Sequence, residues 1–205
     1  MKCIVCNTRR PRRHCPGLRG EICAPCCGTE RENTIDCPAD CEYLIEAQAH
    51  ERAALPDPAQ APNADIRVPE EFLHANAPLV NFLWEALAHS VLGDSSIVDG
   101  DLREALDGLA RTYRTLQSGL YYDSRPANLI AAGIYDRMRA AIDDYRKRRR
   151  EEDGVTTVRD ADVLGTLVFL QRLEWQWNNG RKRGRAFLRM IAREQAEHGG
   201  EHSYA

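Results

Sequence analysis

The sequence predicts a mainly α-helical chain of 205 residues, in which a small cysteine-rich N-terminal module precedes an antiparallel helical bundle of four to five helices. Three observations carry that expectation. All eight cysteines fall within the first forty-one residues, as Cys3, Cys6, Cys15, Cys23, Cys26, Cys27, Cys37 and Cys41. The stretch Leu55-Pro56-Asp57-Pro58-Ala59-Gln60-Ala61-Pro62-Asn63-Ala64 is rich in proline and alanine and reads as an extended, semi-rigid connector. From Pro69 to His198, apolar residues recur at the i, i+3, i+4 spacing of helices with one buried face. The expected divisions are a module over 1–53, a linker over 54–68, a bundle over 69–198 and a disordered tail over 199–205.

Cysteines that come in pairs suit metal. Cys3-x-x-Cys6, Cys23-x-x-Cys26 with Cys27 attached, and Cys37-x-x-x-Cys41 each bring two sulfurs within reach of one tetrahedral ion. Eight thiolates suit two Zn2+ ions with four ligands each, which closes both sites and points to structural rather than catalytic metal. The preferred pairing is interleaved: Cys3, Cys6, Cys23 and Cys26 on one ion, and Cys15, Cys27, Cys37 and Cys41 on the other. It staples together a segment with little apolar core of its own. The sequential alternative puts the first four cysteines on one ion and the last four on the other. His14, beside Cys15, is expected at the surface or behind the ligands.

Locally, Cys3-Ile4-Val5-Cys6 reads as a tight knuckle. Glu21 to Gly28 reads as a strand entering a second knuckle, with Cys26 and Cys27 pointing opposite ways and Gly28 supplying conformational freedom for the turn. A helix is expected to start at Cys37-Pro38 and run to about Ala54. The order of ligand pairs resembles the cross-braced, treble-clef-related zinc fingers of the MYND, HIT and B-box kind. Ile22-Cys23-x-x-Cys26-Cys27-Gly28 and Cys37-Pro38-x-x-Cys41-x-Tyr43-Leu44 are also similar to uncharacterised bacterial zinc-finger proteins. The resemblance covers about a fifth of the chain. It implies zinc binding, and the related fingers mostly bind proteins.

In the C-terminal half the first helix is expected from about Pro69, restarting at Pro78, to Leu92, burying Leu79, Phe82, Leu83, Ala86, Leu87 and Val91. Gly93-Asp94-Ser95-Ser96 ends it. The second spans about Asp99 to Ser118, with Leu102, Leu106, Leu109, Tyr113 and Leu116 on one stripe. Gly119 and Ser124-Arg125-Pro126 bound a turn. The third spans about Pro126 to Glu151 and buries Leu129, Ile130, Ile134, Met138, Ile142 and Tyr145. The fourth starts near Arg159 or Asp160, buries Val163, Leu164, Leu167, Val168, Leu170 and Trp177, and ends at Asn178-Asn179-Gly180. The fifth covers about Lys182 to Glu197, with Phe187, Leu188 and Ile191 inward.

Composition narrows the function. A net charge of -3 does not suit a chain that is basic throughout, and no apolar run approaches the roughly 20 residues of a bilayer span. Met1 to Cys6 runs into Arg9 and Arg10 without a signal-peptide core, so a cytoplasmic location with reduced thiols is expected. Glu71-Phe72-Leu73-His74 matches one step of a di-iron bundle but has no second copy. No phosphate loop or nucleophile motif appears, so the chain is expected not to be an enzyme. The favoured function is a zinc-binding adaptor or regulatory protein whose module meets a protein partner, while its bundle scaffolds or forms a homodimer. The alternative is a nucleic-acid-associated factor using Arg9–Arg13 and Arg181–Arg193, with Trp175 and Trp177 available for stacking. Arg146 to Arg150 reads as a solvated helix end.

Overall fold

The computed structural model describes residues 1–50, 57–154 and 158–199. The expected boundary at 53/54, the last turn of the helix expected to reach Ala54, and residues 200–205 of the expected tail lie outside the described residues. The described residues are mainly helical, with a single two-stranded sheet. The chain divides into two compact units: residues 1–54 with 179–185, and residues 55–178 with 186–205.

In the first unit, β1 (Arg13–Cys15) pairs antiparallel with β2 (Gly20–Ile22), with His14 opposite Glu21. The short helix α1 (Ala24–Glu30) follows, with Pro25 in its first turn, where a missing N–H costs nothing. Gly28 therefore lies in a helix with a negative φ and is not the turn residue that the sequence suggests. Cys26 and Cys27 diverge because successive helical side chains are about 100° apart, and not because they sit in a strand. The next helix also starts later than expected. Pro38 to Cys41 forms a turn, with Cys41 N–H bonded to the Pro38 carbonyl at 3.0 Å. The Cys41 carbonyl then receives the N–H of Leu44 and Ile45, and α2 spans Glu42–His50. Both cysteines of the last pair thus precede the helix.

The second unit carries α3 (Glu70–Ala75), α4 (Ala77–Val91), α5 (Asp99–Gln117), α6 (Leu129–Asp153), α7 (Asp160–Trp177) and α8 (Ala186–Gly199). The restart at Pro78 is observed, with Asn76 between α3 and α4. Cross-contacts set the helix directions. Phe82 meets Tyr145 while Arg137 donates to the Ser90 carbonyl, so α4 and α6 run antiparallel. Arg103 meets Glu174 and Asp107 meets Gln171, so α5 and α7 do too. Asn128 reaches Asp101 while Tyr135 reaches Thr112, so α5 and α6 run the same way. The connection from 118 to 128 therefore returns along α5, anchored where Ser124 N–H donates to the Thr112 hydroxyl.

One core joins Leu83, Leu87, Leu102, Leu106, Leu109, Ile134, Met138, Leu167, Val168, Phe187 and Ile191. Three expected core positions are instead exposed: Leu129, Ile130 and Trp177. Asn128 caps α6, its Oδ1 accepting from the N–H of Ile130 and Ala131, so Leu129 is the first helical residue and points off the stripe. The stripe is Ala131, Ile134, Tyr135, Met138 and Ile142. Trp177 is the last residue of α7, beyond the packed turns.

Residues 57–68, expected as an extended connector, are held on the bundle. Arg172 donates to the carbonyls of Pro62, Asn63 and Ile66, and Arg114 pairs with Asp65. Two buried carboxylates are paired as well. The Glu174 carboxylate takes two hydrogen bonds from Arg103, at 2.7 and 3.0 Å. Asp99 accepts the N–H groups of Phe187 and Leu188 at 3.1 Å, which satisfies orphan donors at the start of α8. No described helix is long and apolar enough to cross a membrane.

Candidate metal centre

The knuckle loop, β2 and α1 bring four thiols together. The Sγ atoms of Cys3, Cys6, Cys23 and Cys26 all lie within 4.8 Å of one another, and those of Cys6 and Cys23 stand 4.0 Å apart. Thiolates about 2.3 Å from a tetrahedral ion sit roughly 3.8 Å from each other, so the donor set fits one ion. Backbone bonds hold the shape. Cys3 N–H donates to the Arg9 carbonyl at 2.9 Å, Asn7 N–H to the Cys3 carbonyl at 2.8 Å, and Ile4 N–H to the Glu21 carbonyl at 3.0 Å. Asn7 closes the knuckle in the left-handed conformation. This set is the first half of the interleaved arrangement, and Cys15 stands outside it.

The electrostatics follow from crowding sulfur. The Thr8 hydroxyl, helped by the backbone N–H groups of Arg9 and Thr8, lowers the Cys6 thiol to about 5. For Cys3, burial pushes upward but is outweighed by the backbone N–H groups of Cys6, Cys23 and Val5, so the thiol is lowered. Cys26 goes the other way. Its hydrogen bond to the Cys23 sulfur, burial, and the Cys6 and Cys3 sulfurs push it up to about 12. Four neighbouring thiols resist losing their last proton unless a cation compensates, and a bound dication is such a cation. The Arg9 guanidinium already leans this way. Its pKa is raised, first by a hydrogen bond to the Cys23 sulfur and then by the charges of Cys23 and Cys6.

Cys15, Cys27 and Cys37 are buried and Cys41 half-buried in the same cluster as the four-thiol group, with Ile22, Ile35 and Leu44 around them. Burial pushes the Cys37 thiol up, and the Cys41 and Cys15 sulfurs push the same way. Arg13 donates to Cys27 Sγ at 3.5 Å while lying 4.5 Å over the Tyr43 ring. Among the described residues no other set of three cysteines, histidines or carboxylates draws as close as the first four thiols. His14 is exposed and faces Glu21 at 3.3 Å.

What the sequence misses is the loop between α7 and α8, which belongs to the cysteine unit. The chain between Cys27 and Cys37 turns at Glu32, a non-glycine residue at φ 51°. The Glu32 carbonyl accepts from Arg183 N–H at 2.7 Å, and its buried carboxylate from Asn179 at 2.8 Å. Arg181 donates to the Arg31 carbonyl at 2.7 Å, and Asp36 meets Arg185 at 2.8 Å and Arg183 at 3.5 Å. Gly184 is buried with no room for a Cβ, which would overlap the Asn179 side chain. The fifth helix therefore starts at Ala186 and not near Lys182, because 181–185 is held in this network. No periodic pattern announces such contacts, since the partners are about 150 residues apart in sequence.

The other basic run is also engaged. Arg146 pairs with Asp160 at 2.6 Å and lies over Tyr113, Arg148 lies over Phe82, and Arg149 meets Glu152. On α3, Glu70 rather than Glu71 faces His74, at 3.4 Å and with both side chains exposed.

Comparisons with protein-family models, with curated proteins and with solved structures find no match for this chain. The likeness to cross-braced fingers thus rests on cysteine order alone.

Proposed function

We propose that this chain is a non-enzymatic, zinc-scaffolded adaptor of the reducing cytoplasm. One Zn2+ is held by Cys3, Cys6, Cys23 and Cys26 and a second by Cys15, Cys27, Cys37 and Cys41. The module offers a rigid surface to a protein partner, and the bundle serves as scaffold or as the contact with a second copy. The observation that carries this reading is the convergence of four sulfurs at tetrahedral spacing. Four thiolates fill such a site and leave no open position for substrate, which supports a structural role.

The nucleic-acid reading loses part of its material. Arg181, Arg183 and Arg185 serve Arg31 and Asp36, and Arg9 and Arg13 serve sulfur. Elemental analysis of the reduced, purified chain tests the proposal. Two zinc ions per chain are expected, with one lost in Cys23→Ser and the other in Cys37→Ser. A chain purified without stoichiometric metal, and unable to take up zinc, would sink it.

A further inference from the structure

The first fifty residues divide their charge along the sequence. Residues 1–20 carry Lys2, Arg9, Arg10, Arg12, Arg13 and Arg19 and no acid. Residues 21–50 carry Glu21, Glu30, Glu32, Asp36, Asp40, Glu42 and Glu46 against Arg31 alone. Among those acids Asp36 meets Arg183 and Arg185, the Glu32 carboxylate meets Asn179, and Glu21 faces His14. Three of the cations have no such partner among the described residues. Arg9 and Arg13 turn to sulfur, while Arg10, Arg12 and Arg19 are exposed and make no side-chain ion pair or hydrogen bond among the described residues.

Apolar surface lies beside those cations. Ile4, Val5 and Leu18 are 44%, 38% and 37% exposed, the first two between Cys3 and Cys6 and the third in the turn that joins β1 to β2. They share one neighbourhood. The Ile4 side chain lies on Gly20, the Leu18 carbonyl flanks the same glycine, and Arg19 is next in sequence. Arg12 N–H bonds the Ile22 carbonyl, which keeps 9–12 beside this edge. A phosphate backbone would use the arginines and leave the aliphatic side chains in water. A peptide that alternates carboxylates with large apolar residues would use both, since charge complementarity steers the encounter and buried apolar area holds the complex.

We propose that the face formed by Ile4, Val5, Leu18, Arg10, Arg12 and Arg19 docks an acidic, apolar-anchored peptide segment of a partner protein. The inference rests on the adaptor reading above and specifies its partner. The internal precedent is Asp36, which already meets Arg183 and Arg185 within the unit.

The test titrates the full chain, zinc-loaded, into a short fluorescein-labelled peptide alternating glutamate with leucine. The same peptide with lysine for glutamate, and a single-stranded DNA oligonucleotide, serve as comparison ligands. Binding of the acidic peptide alone, weakening with added salt, is expected. The variant R10E/R12E/R19E should bind about tenfold more weakly or worse. The variant I4S/L18S should lose about fivefold, since two partly exposed aliphatic contacts are removed. A zinc-loaded chain that ignores the peptide overturns the proposal. So does an oligonucleotide that displaces the peptide and binds I4S/L18S as well as the parent. Zinc content measured on the same samples separates the two readings: a metal-free chain that still binds the peptide keeps the surface and loses the zinc, and a loaded chain that does not bind loses the surface alone.

Discussion

The two units keep their shape by different physics. The bundle buries a continuous aliphatic core that includes Leu83, Leu87, Leu102, Leu106, Ile134, Met138, Leu167 and Ile191. Fully burying one such side chain contributes roughly 1.5–3 kcal/mol. In the cysteine unit the only buried non-cysteine hydrophobics among the described residues are Ile22, Ile35 and Leu44. Three such side chains do not by themselves offset the ordering entropy of about fifty residues. In the proposed reading bound zinc supplies what the missing apolar core does not, and the module then depends on ligand chemistry to which the bundle is indifferent.

That contrast can be broken most directly at the metal. Chelation, or Cys6→Ser, is expected to remove amide-exchange protection from residues 1–50 while α5 and α7 keep theirs, a loss on the order of 10 kcal/mol confined to one unit. The same treatment should open 179–185 to trypsin at Arg181, Lys182 and Arg183, because their anchors on Arg31, Glu32 and Asp36 go with the module. Protection at 179–185 that survives chelation would show the loop to be independent of metal.

The reverse experiment strikes the bundle. Leu106→Ala removes a side chain with no exposure and should cost about 2–5 kcal/mol in urea unfolding of the bundle, with zinc content unchanged. Asp99→Ala is expected to cost less, about 1–2 kcal/mol, by leaving the Phe187 and Leu188 N–H groups unpaired at the start of α8. Exchange should speed up first in α8.

The smallest effect is a pH dependence. Burial raises the Asp99 and Glu174 carboxyls above the ordinary range, although backbone N–H groups oppose this at Asp99 and Arg103 at Glu174. A carboxyl raised by folding holds its proton more tightly in the folded state. Its contribution is therefore fully present below the unfolded value, about pH 4, and is lost as pH rises through the folded value. Asp65, Asp123 and Asp136, lowered by Arg114, by Tyr135 with Arg139, and by Arg125, act in the opposite sense and lose their contribution as pH falls through their folded values. Between neutral pH and the ordinary carboxylate range, Glu174→Gln should flatten the gain in bundle stability that acidification brings. An unchanged slope in urea titrations across that window would remove Glu174 from the account.

Much of the bundle was legible in sequence because helical periodicity is a local property. The stripe Leu102, Leu106, Leu109 and Tyr113 is visible within a dozen residues and is buried as expected. The errors fall at helix ends, where caps decide the outcome: Leu129 points off the stripe because Asn128 starts α6 there, and Trp177 lies past the last packed turn. In the module, spacing brought out the cysteine pairs, but the conformation of Gly28 depends on α1, and the late start of α2 on a turn at Pro38 to Cys41.

Composition and spacing alone determined that sulfur gathers at one end and aliphatic helices at the other, since both are written in neighbouring residues. Only the tertiary structure decided which four thiols converge, that residues 57–68 lie on the bundle, and that 179–185 belongs to the cysteine unit. The last two outcomes depend on pairs such as Asn63 with Gln171 and Glu32 with Asn179, 108 and 147 residues apart. At such separations a sequence names both partners but carries no local signal that they meet, because contact there is set by the packing of everything between them.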